Sequence, residues 1–235
     1  MNKHFDILVF GSHPDDAEMA MGGTMIKLIR AGYSVKLISI TRGEMGTYGD
    51  VEVRAKEFFA ACKVVGCEGE FLDFPDSRVE NTPDGRLRLA KIIRAHTPKI
   101  IFAPYHTNPL GELAGLANVD HYTTGALVRD AVKMARLEKT VPDFAKHQIQ
   151  KLYFYMVPRD VYAQLYVDVS DVIEETTKAI ATYATQMSIK PHGLDVQHTL
   201  RTKRAAAGID IGVAFAERFT TDLPLVMTPQ HFFTL

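Results

Sequence analysis

The chain has 235 residues, a length that suits one large domain with an ample buried core. Its 27 lysines and arginines almost balance its 28 aspartates and glutamates, so the overall charge gives no attraction to nucleic acid or to an anionic membrane. There is no signal-peptide pattern and no apolar stretch of membrane-spanning length. We therefore expect a soluble, cytoplasmic protein with neither nucleic acid nor membrane as a partner.

Apolar runs alternate with helix-like stretches along the chain. The predicted strands are 5–10, 34–40, 70–74, 99–103, 151–156 and 165–169. The predicted helices are 18–30, 52–65, 86–96, 121–136, 171–185 and 202–219. This alternation predicts parallel strands joined by right-handed crossovers. We expect an α/β fold: one domain, 1–235, with a Rossmann-like, doubly wound, mostly parallel sheet flanked by helices in 1–150 and an extension in 151–235.

The turn after the first predicted strand carries three polar side chains. His13 and Asp16 are three residues apart, so both can converge on one point if Asp16 opens a helix, an arrangement that suits a borderline-soft cation such as Zn²⁺. Asp15 then remains beside the metal, where a hydrolase needs a general base. The alternative is that Asp15 or Asp16 only caps the helix and His13 is a loop residue.

Two long segments, 41–51 and 104–119, follow strands and are predicted to be loops at the same sheet edge as His13. His121 begins the helix after the second loop. A lone histidine at a helix start is more often a surface residue, but this placement makes His121 a candidate third ligand. Two histidines and one carboxylate leave coordination positions open, as in catalytic zinc sites. The first turn has neither dinucleotide-fingerprint glycines nor a P-loop lysine, which argues against a nucleotide site.

Several separate stretches match one known family. They are Phe10–Glu18 with Gly22–Thr24, Thr41–Glu44 with Arg54 and Glu57, Leu72–Asp76, Phe102–Pro104 and Asp120–His121. On these motifs the chain resembles the LmbE-like, or PIG-L-type, zinc-dependent N-deacetylases. Residues 205–219 look like the branch that deacetylates N-acetylglucosaminyl-L-malate in bacillithiol biosynthesis.

The resemblance implies a role for each matching position. His13, Asp16 and His121 would hold Zn²⁺, with Fe²⁺ or Co²⁺ as alternatives, and Asp15 would deprotonate the attacking water. The C-terminal strand and helix extension would lie over the active site. Relatives of this kind form trimers or hexamers, so a homo-oligomer is expected.

Three further side chains are assigned from the same resemblance or from spacing. Arg54 would be a polar contact near the substrate; the alternative is a salt bridge to Glu57, three residues further on, or a pair with Glu52 on its own helix. Asp120 is the candidate for supporting a metal ligand from behind. Glu18 is expected to be an acid favoured by the helix N-terminus.

The last motif departs from the usual His-Pro-Asp-His of the family. Asn118 stands where relatives have a histidine, and Ala117 stands where the malate-specific branch has an arginine. Asparagine can donate a hydrogen bond to an oxyanion but cannot act as a general acid. Either Asp15 returns the proton to the leaving amine, or another histidine does so; the candidates are His106, His192 and His198, each of which could equally be a surface residue. The altered loop 109–117 is expected to set substrate choice.

The predicted activity is hydrolysis of the N-acetyl amide of a small N-acetylglucosamine-type sugar conjugate, resembling the malate glycoside, with release of acetate and a free amine. Two alternatives remain open at this point. One is a sugar-binding protein that has lost catalysis, as Asn118 would suggest. The other is a metal-dependent hydrolase of a different amide or of an ester.

Overall fold

The computed structural model describes residues 3–108, 118–158, 161–190 and 193–224. Five strands form one parallel sheet in the order β3-β2-β1-β4-β5. They are β1 (Ile7–Gly11), β2 (Val35–Ser39), β3 (Glu68–Phe71), β4 (Ile100–Pro104) and β5 (Lys151–Tyr155). The predicted α/β fold is confirmed. Because β5 belongs to this sheet, the sheet extends past residue 150, where the sequence had suggested that the core ends.

Helices cover both faces of the sheet. They are α1 (Asp16–Arg30), α2 (Val51–Val65), α3 (Pro83–His96), α4 (Val119–Ala135), α5 (Ile173–Ala181), α6 (Ala184–Met187) and α7 (Val196–Ile211). Alternate residues of β1 point to opposite faces: Leu8 and Phe10 pack with α3 and α4, whereas Ile7 and Val9 pack with α1, α2 and α5. A strand that is apolar on both faces is typical of a central parallel strand.

The C-terminal part differs from the sequence prediction at two places. The helix predicted at 202–219 is α7 followed by a strand, β7 (Ala216–Phe219), because Gly212 adopts φ 73° and ends the helix. β7 pairs in antiparallel fashion with β6 (Leu165–Asp168). The helix predicted at 171–185 is a 3₁₀ turn, Ser170–Val172, followed by α5 and the short α6. The extension packs on α1 and α2 through α5.

At the N-terminal edge of the sheet, Asp6 binds both Ser34 and Lys99. The Asp6 carboxylate accepts hydrogen bonds from the backbone N and Oγ of Ser34 at 3.1 and 2.8 Å, and from Nζ of Lys99 at 3.0 Å. These residues precede β1, β2 and β4, so the contacts join the starts of three neighbouring strands.

β3 is a short edge strand with glutamates at 68 and 70. Glu70 pairs with Lys36 of the neighbouring strand at 2.8 Å. Between the glutamates, Gly69 lets α2 approach closely: a Cβ there would lie 2.6 Å from the Phe58 ring and 2.8 Å from Sγ of Cys62. Within the described residues, every helix is too short or too polar to cross a bilayer.

Candidate active site

The strand order places a crevice between the carboxyl ends of β1 and β4, where the crossovers leave in opposite directions along the sheet and where ligands bind in open α/β sheets. The β1–α1 turn, Ser12–Asp15, lies at this edge. Asp15 has φ 121° and ψ −28°, a conformation that residues with a side chain rarely adopt. Such strain costs about 1–3 kcal/mol and persists only where the surroundings enforce it. The Asp16 carboxylate supplies part of that constraint by accepting 2.9 Å hydrogen bonds from the backbone N of Ser12 and of His13.

The structure brings His13, Asp16 and His121 together. One ligand atom from each lies within 4.8 Å of the others. Asp16 is central: its Oδ1 lies 3.1 Å from Nε2 of His121 and its Oδ2 lies 3.5 Å from Nδ1 of His13. The sequence placed these three side chains at one edge of the sheet, and their separation suits a single small cation. Two imidazoles and a carboxylate are ligands that zinc accepts.

The second nitrogen of the His13 ring faces two buried carboxylates. Its Nε2 lies 3.1 Å from Oδ1 of Asp76 and 3.3 Å from Oδ2 of Asp120. Asp120 is itself held by the backbone N of Ser77 at 2.7 Å and of Val79 at 3.2 Å. Carboxylates in this position orient a metal-binding imidazole and raise its basicity.

Sequence reasoning selected Asp120 as a support for a metal ligand but gave no role to Asp76, which also contacts His13. Two signals were available: Asp76 ends the matching motif Leu72–Asp76, and it follows β3 at the sheet edge that also carries the β1–α1 turn.

The charges of the cluster favour a bound cation. Burial opposes a charge on His13, but Asp16, Asp120 and Asp76 outweigh burial and raise the pKa of His13 to about 12. Burial is likewise outweighed at His121, where Asp16 raises the pKa. In turn, despite burial, the two imidazoles hold the pKa of Asp16 well below its ordinary value. A pocket that retains protons on both imidazoles is one in which a cation would be electrostatically stabilised. The residues present therefore fit a divalent metal ion.

Asp15 lies beside this cluster and is held by Arg54. Nη2 of Arg54 donates to the carbonyl oxygen of Pro14 at 2.6 Å and lies 3.3 Å from Oδ2 of Asp15. Burial and the charge of Asp16 raise the pKa of Asp15 to about 8, although Arg54 and His13 act in the opposite direction. A carboxyl group with a pKa near neutrality can both accept and return a proton.

Arg54 pairs with Asp15 rather than with a glutamate of its own helix. Glu57 instead accepts hydrogen bonds from the backbone N and Oγ1 of Thr185, at 2.9 and 2.6 Å. Arg54 is only 3% exposed, and its Nε is buried without a hydrogen-bond partner among the described residues. The loop over it requires glycine at position 43, which has φ 70° and where a Cβ would lie 3.2 Å from Nη2 of Arg54.

Glu18 lies in the first turn of α1, but its side chain is 1% exposed and bonds the hydroxyl of Tyr183. Burial raises the pKa of Glu18 to about 7. Glu18 therefore lies near the helix N-terminus, as the sequence predicted. Its carboxyl group is nevertheless buried and hydrogen-bonded.

Asn118 is the N-cap of α4. Its side-chain oxygen accepts a 3.0 Å hydrogen bond from the backbone N of Asp120. This cap starts the helix that presents Asp120 and His121. The oxygen only accepts, so the amide nitrogen is the donor group of the Asn118 side chain.

The other histidine candidates bind elsewhere. Nε2 of His106 lies 3.0 Å from Asp222, and its Nδ1 lies 3.1 Å from Nη1 of Arg129. His198 is exposed in the first turn of α7, where its backbone N donates to Asp195 at 2.8 Å. Neither set of partners belongs to the His13–Asp16–His121 cluster. His192, Ala117 and the loop 109–117 lie outside the described residues.

Comparisons with known proteins identify the family of this chain. The model of the PIG-L family, described as GlcNAc-PI de-N-acetylase, matches residues 8–132. Diacetylchitobiose deacetylase of Thermococcus kodakarensis is 30% identical over 199 residues, 77% of this chain and 69% of the relative. A Mycobacterium deacetylase of 1D-myo-inositol 2-acetamido-2-deoxy-alpha-D-glucopyranoside is 27% identical over 80% of this chain and 76% of the relative. The crystal structure of the conserved protein TT1542 from Thermus thermophilus superimposes with a TM-score of 0.84 and 31% identity, covering 96% of this chain and 98% of that one.

Proposed function

Because this chain belongs to the PIG-L family of N-deacetylases, hydrolases of N-acetyl amides, we propose that it is a zinc-dependent deacetylase of an N-acetylglucosamine-type sugar conjugate. The observation that carries the proposal is the convergence of His13, Asp16 and His121 within 4.8 Å, with the Asp15 carboxyl held beside them. Zn²⁺ bound by those three side chains would supply Lewis acidity to polarise the amide carbonyl and to acidify water.

The side chains of this protein account for the proton transfers. Asp15 takes a proton from the attacking water, whose oxygen forms a bond to the amide carbon. The C–N bond then breaks, and Asp15 returns the proton to the leaving nitrogen, so acetate and a free amine are the products. Because burial and Asp16 raise the pKa of Asp15, the same carboxyl can accept and return the proton, and we propose that it does so without a second acid at position 118.

We propose two donors for the developing oxyanion. The Asn118 amide nitrogen lies at the start of the helix that bears His121, and its oxygen is fixed by the cap, which fixes the direction of the amide. The guanidinium of Arg54 holds Asp15 and keeps its Nε free of any described partner. Removing one donor of this kind typically costs about 3 kcal/mol of transition-state stabilisation.

The substrate is a small N-acetylated sugar, as the names of the relatives indicate for those proteins. We propose a glycoside related to N-acetylglucosaminyl-L-malate, supported by the resemblance of 205–219 to that branch. Position 117, where that branch has an arginine, is alanine here, so the malate carboxylate would need a different partner.

The test is acetate release by the purified, zinc-loaded protein from four compounds: N-acetylglucosamine, its malate glycoside, its inositol glycoside and diacetylchitobiose. We expect release from at least one of them and loss of release in Asp15→Asn. Asp6→Asn is the matched control, since it neutralises an aspartate at the opposite end of β1. No release from any compound, or release that survives Asp15→Asn, would contradict the proposal.

We also propose that several copies associate as a homo-oligomer, a trimer or hexamer. Two exposed apolar side chains, Tyr162 and Ile211, are 84% and 41% exposed and line one groove beside β6. We propose that this groove is buried between copies of the chain. Sedimentation velocity should give a mass of three or six chains, and a monomer at micromolar concentration would refute this part.

A further inference from the structure

Helix α1 is interrupted one and a half turns after its start. Met21 has φ −141° and ψ 21°, values outside the helical range, so a short segment, Asp16–Ala20, is followed by a second segment from Gly22. An interruption of this kind leaves carbonyl groups at the end of one segment and N–H groups at the start of the next without helical partners. In a buried helix those groups need other partners.

One buried ion pair, between Arg204 and Glu217, supplies both sets of partners. Glu217 accepts hydrogen bonds from the backbone N of Gly23 at 3.1 Å and from the backbone N and Oγ1 of Thr24 at 2.7 Å each. Nη2 of Arg204 donates to the carbonyl oxygen of Met19 at 2.8 Å. The side chains of the pair are 5% and 0% exposed and lie 2.8 Å apart.

The pair comes from the C-terminal extension, beyond the segment that matches the family model. Arg204 lies on α7 and Glu217 on β7. The extension also approaches α1 closely at Gly23, where a Cβ would lie 2.8 Å from Val169. The second segment of α1 is therefore fixed against the extension by both packing and hydrogen bonds.

A short chain of contacts connects this pair to the candidate base. The Met19 carbonyl accepts from Arg204, and the Met19 N donates to the carbonyl oxygen of Asp15 at 2.8 Å. Asp15 is the residue with φ 121°, and such a conformation persists only where its neighbours enforce it. A shift of Asp16–Ala20 would displace Asp15 and Asp16 together.

We propose that Arg204 and Glu217 are positioning residues for the metal ligand Asp16 and the base Asp15. This inference rests on the proposed function, because it assigns the pair a role in that site. The pair touches neither substrate nor reacting atoms; it acts by holding the first segment of α1 in register. A purely structural pair would affect stability without affecting the affinity of the site for metal.

The experiment measures the zinc dissociation constant by competition with a chelator, at a temperature where circular dichroism shows each variant to be folded. The variants are Glu217→Gln and Arg204→Lys. The matched control is Arg94→Lys, a buried arginine on α3 whose guanidinium bonds carbonyl and hydroxyl oxygens of 135–144. We expect about tenfold weaker zinc binding in the first two variants, at the low end of the range for groups that support metal ligands. We also expect a lower kcat at nearly unchanged KM in those two. The control should lose thermal stability and keep the wild-type zinc affinity.

Wild-type zinc affinity in folded Glu217→Gln and Arg204→Lys would overturn the positioning role and leave the proposed function standing. Absence of zinc binding by the wild type would overturn the proposed function itself. If neither variant folds, Thr24→Val decides the matter, because it removes only the hydroxyl bond to Glu217. A measurable weakening of zinc binding in Thr24→Val supports the proposal, and an unchanged affinity contradicts it.

Discussion

The two ends of strand β1 hold aspartates in opposite electrostatic conditions. Asp6, just before the strand, is bound by Lys99 and Ser34, which lower its pKa to about 2. Asp15, four residues after the strand, is buried close to Asp16, and its pKa is raised to about 8. At the N-terminal edge of the sheet, the neighbours of Asp6 stabilise its ionised form. At the C-terminal edge, burial and Asp16 destabilise the ionised form of Asp15. A lowered carboxyl pKa here marks a contact that holds strands together, whereas a raised carboxyl pKa marks a group suited to proton transfer.

The largest effect is expected at the C-terminal end of β1, where Asp15 lies. Asp15→Asn should lower kcat by about 10²–10⁴, the usual contribution of a general base, while the bound zinc remains. Acetate release and metal content measured on the same preparation test this. A variant that lost its zinc together with its activity would show that Asp15 acts as a ligand instead.

The same substitution should stabilise the metal-free protein at higher pH. The Asp15 carboxyl ionises near its ordinary value of 3.8 when unfolded but only near 8 in the fold, so it lowers wild-type stability progressively across that interval. The stability of the Asp15→Asn variant relative to wild type should therefore rise from pH 4 to pH 8 in urea unfolding. If the difference in unfolding free energy between variant and wild type stayed constant with pH, the pKa of Asp15 would not be raised by folding.

The next largest effect is expected for His121→Ala, because this substitution removes one of three converging ligand atoms. Its zinc affinity should fall by more than the roughly 10–100-fold typical of outer carboxylates. Dialysis against a zinc buffer followed by metal analysis measures this. His106→Ala is the control, since its ring binds Asp222 and Arg129 instead, and it should retain zinc.

Asp76→Asn should give a smaller loss. Its carboxylate faces Nε2 of His13 together with Asp120, so one carboxylate remains to orient the ring. Zinc affinity should fall about tenfold and activity should recover at high zinc concentration. Chelator competition and a zinc titration of turnover provide the check; full activity at limiting zinc would count against the role of Asp76.

The smallest effect is expected at the other end of β1. Asp6→Asn should destabilise the fold by about 1 kcal/mol, since these bonds are near the surface. Because the pKa of Asp6 is lowered by folding, its stabilisation is present above about pH 4 and lost as the pH falls through about 2. Urea unfolding at pH 7 and pH 2.5 should show the difference between variant and wild type shrink, with turnover at pH 7 unchanged.

Local sequence patterns predicted most of the fold because the parallel strands are continuous apolar runs bounded by turns. The break before β7 was missed although Gly212 carried a helix-ending signal, because the apolar spacing of 202–219 continues across it. Glu217 and Arg204 look like ordinary surface charges in sequence. Their burial depends on an interruption in α1 at Met21, next to Gly22 and Gly23, which the sequence showed only as part of a family motif.

The site could be predicted as far as its edge of the sheet. His13, Asp16 and His121 follow strands or begin helices there, so topology alone brings them near one another. The contact of Asp76 with His13 and the salt bridge of Arg54 with Asp15 depend on the path of two loops. Short-range spacing allowed a partner for Arg54 on its own helix, but in the structure its guanidinium contacts Pro14 and Asp15 of the strained turn.

The glutamates of β3 have a consequence for aggregation. An unpaired strand edge is a template on which another chain can add, and proteins resist this with short strands and charged side chains. A chain adding to β3 would have to pair beside Glu68 and Glu70 along only four residues. At β3, therefore, the charges and the short length of the strand protect the sheet from continuing into a neighbouring molecule.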